Sequence, residues 1–269
     1  RSSAVWHTTR MSSTKHREVA KLDRVPLPFE AIRFGTTGWQ LTRTGARVLT
    51  KLPARGPWQT KVIKEIPQLF ADLGPTYVKF GQIIASSPGA FGEPLSREFR
   101  TLLDAVPAAD SDEVHKLFTE ELGDEPQNLF KEWEETPFAS ASIAQVHYAT
   151  LHSGEEVVVK IQRPGIRRRV AADLQILKRF AQVVEVAKLG RRLSAQDVVA
   201  DFADNLAEEL DFRLEAQSME AWVSGLHGSP LGRNIKVPQV HWEFTSERVL
   251  TMADGVIISD TRPLPLAAA

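Results

Sequence analysis

No cysteine occurs among the 269 residues. Disulfides, thiol nucleophiles and thiolate metal sites are therefore excluded together, and the composition fits a reducing compartment. No apolar run approaches the roughly 20 residues that a membrane span needs, and no short apolar block with a cleavage site follows the first residues. By its own sequence the chain reads as neither secreted nor integral. The seven histidines are scattered. His147 and His152 fall close together near a proposed turn, but no spacing offers a third ligand, so they read as polar surface residues and no intrinsic metal site is expected. A Walker loop, a dinucleotide glycine pattern and a G-x-S-x-G elbow are also missing. What is present is ordinary globular material, 42% hydrophobic and 25% charged, enough to bury a core in one large or two small domains.

The net charge of −1 hides an asymmetry. Residues 1 to 64 hold 13 Lys/Arg against 3 Asp/Glu and the remainder 20 against 31, a split of +10 and −11. Residues 1 to 28 are basic, Ser/Thr-rich and poor in apolar groups, and are expected to form a disordered tail. From Phe29 to Leu52, apolar residues alternate with Arg33, Arg43, Arg47 and Lys51. This pattern predicts a basic amphipathic helix, broken near Gly35 to Gly38, of a kind that lies on an anionic membrane surface. Solvated cations on an ordinary helix are the alternative. Nucleic acid is not expected, because no nucleic-acid motif accompanies the charge.

The most informative stretch is P-F-A-S-A-S-I-A-Q-V-H-Y-A-T-L-H-S-G-E-E-V-V-V-K-I-Q-R-P-G, from Pro137 to Gly165. It predicts a hairpin turning at Ser153-Gly154, with one cation, Lys160, inside a valine run that ends at Pro164-Gly165. A charge in such a run calls for an anion. Protein kinases use a V-A-I-K strand in this way, setting its lysine on nucleotide phosphates beneath a loop of small residues. Here the small residues are Ala139, Ser140, Ala141 and Ser142. An edge-strand lysine beside an ordinary turn is the alternative.

Upstream, a helix is predicted over Trp58 to Leu73. Gly74-Pro75 then starts another, on which Lys79 and Gln82 share a face and Gly81 leaves room for a backbone or a ligand. Pro88 to Pro94 reads as a loop, Leu95 to Ala105 as a helix, and Asp110 with Glu113 as a capping box for a helix ending at Leu122-Gly123. Downstream, one helix is predicted over Ile166 to Leu189, ended by Gly190. A second runs from Ala195, capped by Ser194, to Val223. On that second helix Asp211 and Glu215 stack, and Glu209 points roughly 160° away from Asp211. Ile235 to Val240 and Arg248 to Met252 read as short strands.

Three of these motifs occur in one order: K-x-G-Q at Lys79 to Gln82, the alanine-rich loop at Ala139 to Ser142, and E-x-D at Glu209 to Asp211. Together they resemble the UbiB family of atypical protein-kinase-like proteins over roughly Ile66 to Met252. Ser140 stands where the family commonly has a third alanine. The resemblance implies an α+β fold: a helical extension carrying K-x-G-Q over residues 29 to 135, a kinase-like N-terminal lobe with a small antiparallel sheet over 136 to 260, and a tail over 261 to 269. It further implies an adenine nucleotide, ATP or ADP, at Ala139, Ser140, Ala141, Ser142, Lys160, Glu215 and Met252. Lys79, Gly81, Gln82, Glu209 and Asp211 would form a regulatory set, with Glu215 paired to Lys160 and Glu209 to Lys79. The parent activity it implies is ATP hydrolysis or phosphoryl transfer in isoprenoid-quinone lipid metabolism, at the cytoplasmic side of a membrane and alongside quinone-biosynthesis proteins. Nothing after Lys160 matches a catalytic-loop Asp and Asn or a D-F-G aspartate, and Met252-Ala253-Asp254-Gly255 stands where the family has a hinge glutamate. The chain is therefore expected to be a fragment or a shortened form, to have no catalytic residues of its own, and to take Mg only with a second lobe.

Overall fold

A computed structural model describes residues 26–51, 58–100, 107–186, 194–226 and 237–254. Five helices come first: α1 (Leu27–Lys51), α2 (Trp58–Leu73), α3 (Pro75–Ser86), α4 (Pro88–Phe91) and α5 (Glu93–Phe99). Next are α6 (Ser111–Leu122), α7 (Pro126–Leu129) and the strands β1 (Glu132–Trp133), β2 (Ala139–Ser140), β3 (Ala144–Thr150) and β4 (Glu156–Gln162). Then α8 (Ile166–Val186), α9 (Ala195–Glu209), α10 (Phe212–Leu226) and β5 (Val249–Ala253) complete the order.

Local chemistry accounts for many of the boundaries. Prolines open α3, α4, α5 and α7, where the missing N–H has no helical partner to lose. The Asp110 carboxylate accepts from the backbone N–H of Asp112 and Glu113 to start α6, and Gly123, at φ 85°, ends it in the left-handed region. Ser194 caps α9 by accepting from the Asp197 N–H.

Four expectations are corrected. The first helix runs unbroken through Gly35 and Gly38; its packing on α2 and α8 outweighs a propensity cost of about 1 kcal/mol per glycine. Pro88 to Pro94 is α4 and the first turn of α5, not a loop. The helix expected over Ala195 to Val223 is two helices, parted at Leu210-Asp211. Of the strand expected over Ile235 to Val240, the described residues 237–240 show a single bridge from Val240 to Met252, beside Pro238, which has no N–H to donate. Ile235, Lys236, the stop at Gly190, Ala105 and the tails at 1–25 and 261–269 lie outside the described residues.

The antiparallel sheet has the order β1-β3-β4-β5, with β2 also pairing with β3. Gly154, at φ 89°, supports the β3–β4 turn. Strand alternation assigns β4 to two cores. Val157, Val159 and Ile161 pack on Val114, Leu117 and Phe118 of α6. The opposite face meets α3, α8, α9 and α10 through Ile143, Ala144 and Leu250. Sheet packing thus crosses the boundary expected at residue 135, since α6 and β1 lie before it.

A buried carboxylate ties three helices together. Asp173 of α8, with none of its surface exposed, forms a forked ion pair with Arg33 of α1 and accepts from Thr76 Oγ1 of α3 at 2.7 Å. Arg33 also donates to the Leu73 carbonyl. Arg47 pairs with Asp72 of α2 at 2.9 Å. Two of the four cations expected to face a membrane are thus engaged in holding α1 to the body.

His147 is not a surface residue. It is 2% exposed, stacks on Trp133 at 4.6 Å, and its Nδ1 lies 2.8 Å from the Glu134 carbonyl while Gln145 is 2.8 Å from Nε2. The carbonyl fixes the proton on Nδ1, leaving Nε2 to accept. His152 is exposed. Burial pushes the His147 imidazole below its ordinary value, and Glu135 and His115 nearby act in opposite directions. The unfolded chain therefore binds more protons as pH falls through about 6.5, so the His147 contribution is complete above that pH and is lost below it. Thermal melts should show stability falling between about pH 7 and pH 5, with a shallower slope in His147→Gln. Carboxylates such as Glu121 and Asp211, each held low against the upward pull of burial, the first by hydrogen bonds from Ser246 and Arg248 and the second by those from Arg213, enter only below about pH 4. Equal slopes in the two proteins would place the titration elsewhere.

Candidate functional site

The cation of β4 lies on the face opposite α6. Across the sheet Lys160 is in register with Val146 and Leu250, and Val146 with Ala139. One step along, Val158 sits between Tyr148 and Met252. An apolar row of Val146, Val158 and Met252 thus borders a single ammonium. α10 crosses this face. Glu215 accepts from Lys160 Nζ at 2.7 and 3.0 Å, and the Phe212 ring lies 4.7 Å from the same nitrogen. The two side chains keep 24% and 38% of their surface, so the pair is open to solvent on one side.

The break between α9 and α10 sets where the acids point. Its freed Leu210 carbonyl accepts from Gln162 Nε2 at 2.7 Å and from Arg167 at 3.1 Å. Asp211, 5% exposed, caps α10 through the Arg213 N–H and holds the Arg213 guanidinium in a fork at 2.8 and 2.7 Å. Burial alone would raise its pKa, but the Arg213 hydrogen bonds outweigh it and the carboxyl sits below its usual range. Phe212 N–H donates to the Glu247 carbonyl at 3.0 Å, and Glu247 pairs with Arg167. Asp211 therefore does not stack under Glu215 within one helix. Glu209 ends one helix and Glu215 lies in the first turn of the next, so their divergence comes from the break and not from helical angle.

Glu209 meets Lys79 of α3 at 3.1 Å, with 45% and 23% of the two side chains exposed. Phe80 packs on Phe202 of α9 at 5.0 Å, so α3 is docked by apolar contact as well. Gly81 serves a different purpose from the one expected. A Cβ there would come 2.7 Å from the Phe99 ring, so the missing side chain admits an aromatic from α5, not a ligand or a backbone. Gln82 is half-buried and makes no hydrogen bond among the described residues.

In the alanine-rich loop, Ala139 and Ser140 form β2, and the Ala141 N–H donates to the Ala144 carbonyl at 2.8 Å to close the turn. Ala139 and Ala141 are exposed. Ser142 was expected to line the approach with them, but it is wholly buried with its hydroxyl unpartnered, because the turn carries it inward beside Ile143 and Ala144. Arg163 clamps the loop, donating to Ser140 Oγ at 3.0 Å and to the Pro107 carbonyl at 2.7 Å. Sequence reasoning missed Val146, Val158, Phe212, Gln162, Arg163, Arg167 and Glu247. Of these, two-residue alternation with Lys160 points to Val158, whereas the Arg163 and Glu247 contacts join distant segments and leave no local signal.

A sheet carrying a lysine–glutamate pair across to a neighbouring helix defines a kinase-like N-terminal lobe. The family model for the ABC1 atypical kinase-like domain matches residues 101–267, and the chain belongs to that family. An uncharacterised protein of Mycobacterium tuberculosis (strain ATCC 25618 / H37Rv) is 82% identical over 251 residues, 93% of this chain and 51% of that protein. The probable protein kinase UbiB of Azotobacter vinelandii is 37% identical over 216 residues, 79% of this chain and 40% of that protein. The chain thus spans about half the length of the first relative and 40% of the second. Among solved structures, the Rv3197–erythromycin complex from Mycobacterium tuberculosis matches 67% of this chain and 44% of that one at 31% identity, with a TM-score of 0.45.

Two measurements test the site's architecture. Gly81→Ala should destabilise the fold by about 1 kcal/mol net, because overpacking costs about 1–3 kcal/mol and the gain in helix propensity returns about 1. A neutral or stabilising effect in chemical denaturation would mean that Phe99 moves aside freely. Lys79→Ala and Glu209→Ala, combined in a double-mutant cycle, should show a coupling of about 0.5 kcal/mol, as expected for a part-exposed pair; strictly additive losses would leave Lys79 unpaired in solution.

Proposed function

We propose that this chain binds the phosphates of an adenine nucleotide, ATP or ADP, between the β2–β3 turn and Lys160. The observation that carries the reading is Lys160, pinned by Glu215 beside an apolar row, in a chain of the ABC1 family. An ammonium has three donors and Glu215 occupies it from one side. Phosphate oxygens would meet the remaining donor beside exposed Ala139 and Ala141, whose small side chains leave room for them, while Val146, Val158 and Met252 offer an apolar surface for the base. Magnesium has no evident seat: no cluster of three or more His, Asp or Glu is placed to hold a metal among the described residues.

At family level the activity is that of an atypical kinase or ATPase, and its link is to isoprenoid-quinone lipid metabolism at an anionic membrane, with quinone-biosynthesis proteins as neighbours. The relatives named as UbiB probable protein kinases support this reading. No helix among the described residues is long and apolar enough to cross a membrane; peripheral attachment is the mode proposed for this chain. A non-catalytic scaffold that binds membrane or partner through its basic helices is the second reading, favoured by apolar residues on the outer side of α1. Nucleotide titration separates the two.

Titrated with a fluorescent ATP analogue, Lys160→Ala should bind at least about tenfold more weakly than wild type, since the change removes the phosphate cation and leaves Glu215 facing the anion. Equal affinities would reject the assignment. The purified chain should show no ATP turnover above background, because positioning and metal-held charge carry phosphoryl transfer and the sequence after Lys160 offers no match to the groups that supply them. Turnover abolished by Lys160→Ala would overturn that expectation.

A further inference from the structure

The first helix is amphipathic in the reverse sense. The residues of α1 turned toward the body are mostly polar: Arg33, Thr37, Gln40, Thr44 and Arg47, of which Thr37 and Thr44 are buried, with the part-buried Phe29 and with Phe34 under the Arg179 guanidinium as the apolar exceptions. The spacing of the polar set, 4, 3, 4 and 3 residues, follows one face of a helix. Arg33 and Arg47 are taken up by Asp173 and Asp72. The outward face carries the apolar groups, with Ile32 exposed by 66%, Trp39 by 67% and Leu49 by 65%. Gly35, Gly38 and Gly45 complete it, and a Cβ at any of them would meet nothing within 4 Å. A helix normally turns such residues to the core; here the core side is occupied by ion pairs and the apolar side has no partner among the described residues.

Charge identifies what covers it. The only acidic residue from Leu27 to Lys51 is Glu30, and its carboxylate is held by Arg179 at 2.7 Å. Arg43, beside Trp39 in a shallow groove with Thr42, Ala46, Thr50 and the Asp72-bound Arg47, is exposed and pairs with no carboxylate among the described residues. An indole next to a free guanidinium on an uncharged stripe is the combination that seats a helix at a lipid–water interface, ring among acyl chains and cation among phosphates. A second copy of this chain is disfavoured, since neither face would bring an acid to meet the other's Arg43. We infer that the outward face of α1, through Ile32, Trp39 and Leu49 with Arg43 at its rim, docks on an anionic lipid bilayer. This rests on the membrane reading above and narrows it: the apolar stripe makes the contact, and Arg33 and Arg47 contribute to stability, not to binding.

The test is sedimentation of the full chain with phosphatidylcholine vesicles with and without added phosphatidylglycerol, whose negative surface potential attracts basic residues. Wild type should bind the anionic vesicles and be partly released by salt. Ile32→Ser/Trp39→Ser/Leu49→Ser, all exposed positions that should leave the melting temperature unchanged, should lower partitioning on the order of a hundredfold. Arg43→Gln should lose only the increment due to phosphatidylglycerol, and brominated lipid should quench fluorescence in wild type but less in Trp39→Phe. Wild type that binds as well as the triple variant would reject this face and leave the membrane reading standing. Wild type that ignores vesicles would reject both. A dimer in the ultracentrifuge that disappears in the triple variant, without vesicle binding, would assign the face to a second copy.

Discussion

The break at Leu210-Asp211 is the constraint on which the site depends. A continuous helix would carry Glu209, Asp211 and Glu215 around one cylinder, with Asp211 and Glu215 on neighbouring turns. The break instead ends α9 at Glu209, beside α3, and starts α10 on the sheet, where Glu215 meets Lys160. Interrupting a helix strands carbonyl and amide groups that must find partners. The Leu210 carbonyl finds Gln162 and Arg167, the N-terminus of α10 finds Asp211, and Phe212 N–H finds the Glu247 carbonyl. Since Gln162 is the strand's last residue, two positions after Lys160, the anchor of the break and the cation it serves are carried on one strand and move together.

The residues of the helical motifs therefore have unequal duties. Asp211 is nearly buried and spends its charge on Arg213; it shapes backbone. Glu209 and Glu215 are the outward-facing acids, each on a lysine. Gly81, between Lys79 and Gln82, is a packing residue for Phe99. Asp173 does for the extension what Asp211 does for the break. A charge sealed under the start of α3 and matched by Arg33 and Thr76 would be strongly destabilising if either partner were lost, because an uncompensated buried carboxylate costs several kcal/mol. α1, α3 and α8 are thereby held in one geometry, and α3 carries Lys79 at a fixed height over Glu209.

Much of this was legible in the sequence, for identifiable reasons. The hairpin at Ser153-Gly154, the cap at Asp110, the proline start of α3 and the strand at Val249 follow from local residue chemistry. The alternation of Val157, Val159 and Ile161 against Val158 and Lys160 correctly separates two faces. What local chemistry could not reveal is polar burial. Ser142 and His147 look like surface groups because each is small or ionisable, yet tertiary turns carry both inside. The helix break lies in a run, N-L-A-E-E-L-D-F-R-L-E-A, with no glycine or proline; it is imposed by partners on β4, α8 and the segment before β5. The same limitation reversed the first helix: Arg33 and Arg47 suggest a cationic outer face until Asp173 and Asp72, 140 and 25 residues away, are seen to claim them.

The half-exposed state of the Lys160–Glu215 pair bears on whether nucleotide binding is reasonable for this lobe alone. A pair sealed from water would hold its geometry but could not admit an anion without losing it. A pair left fully in water would be worth little and would not fix the ammonium. Between those limits Glu215 and the Phe212 ring position the cation from the α10 side, while the side toward Ala139 and Val146 remains available. Exposure also limits the strength of the contact, because water screens what a closing second lobe would otherwise shield. Under the nucleotide reading proposed above, a lobe of this build would orient phosphates weakly and depend on further contacts for affinity.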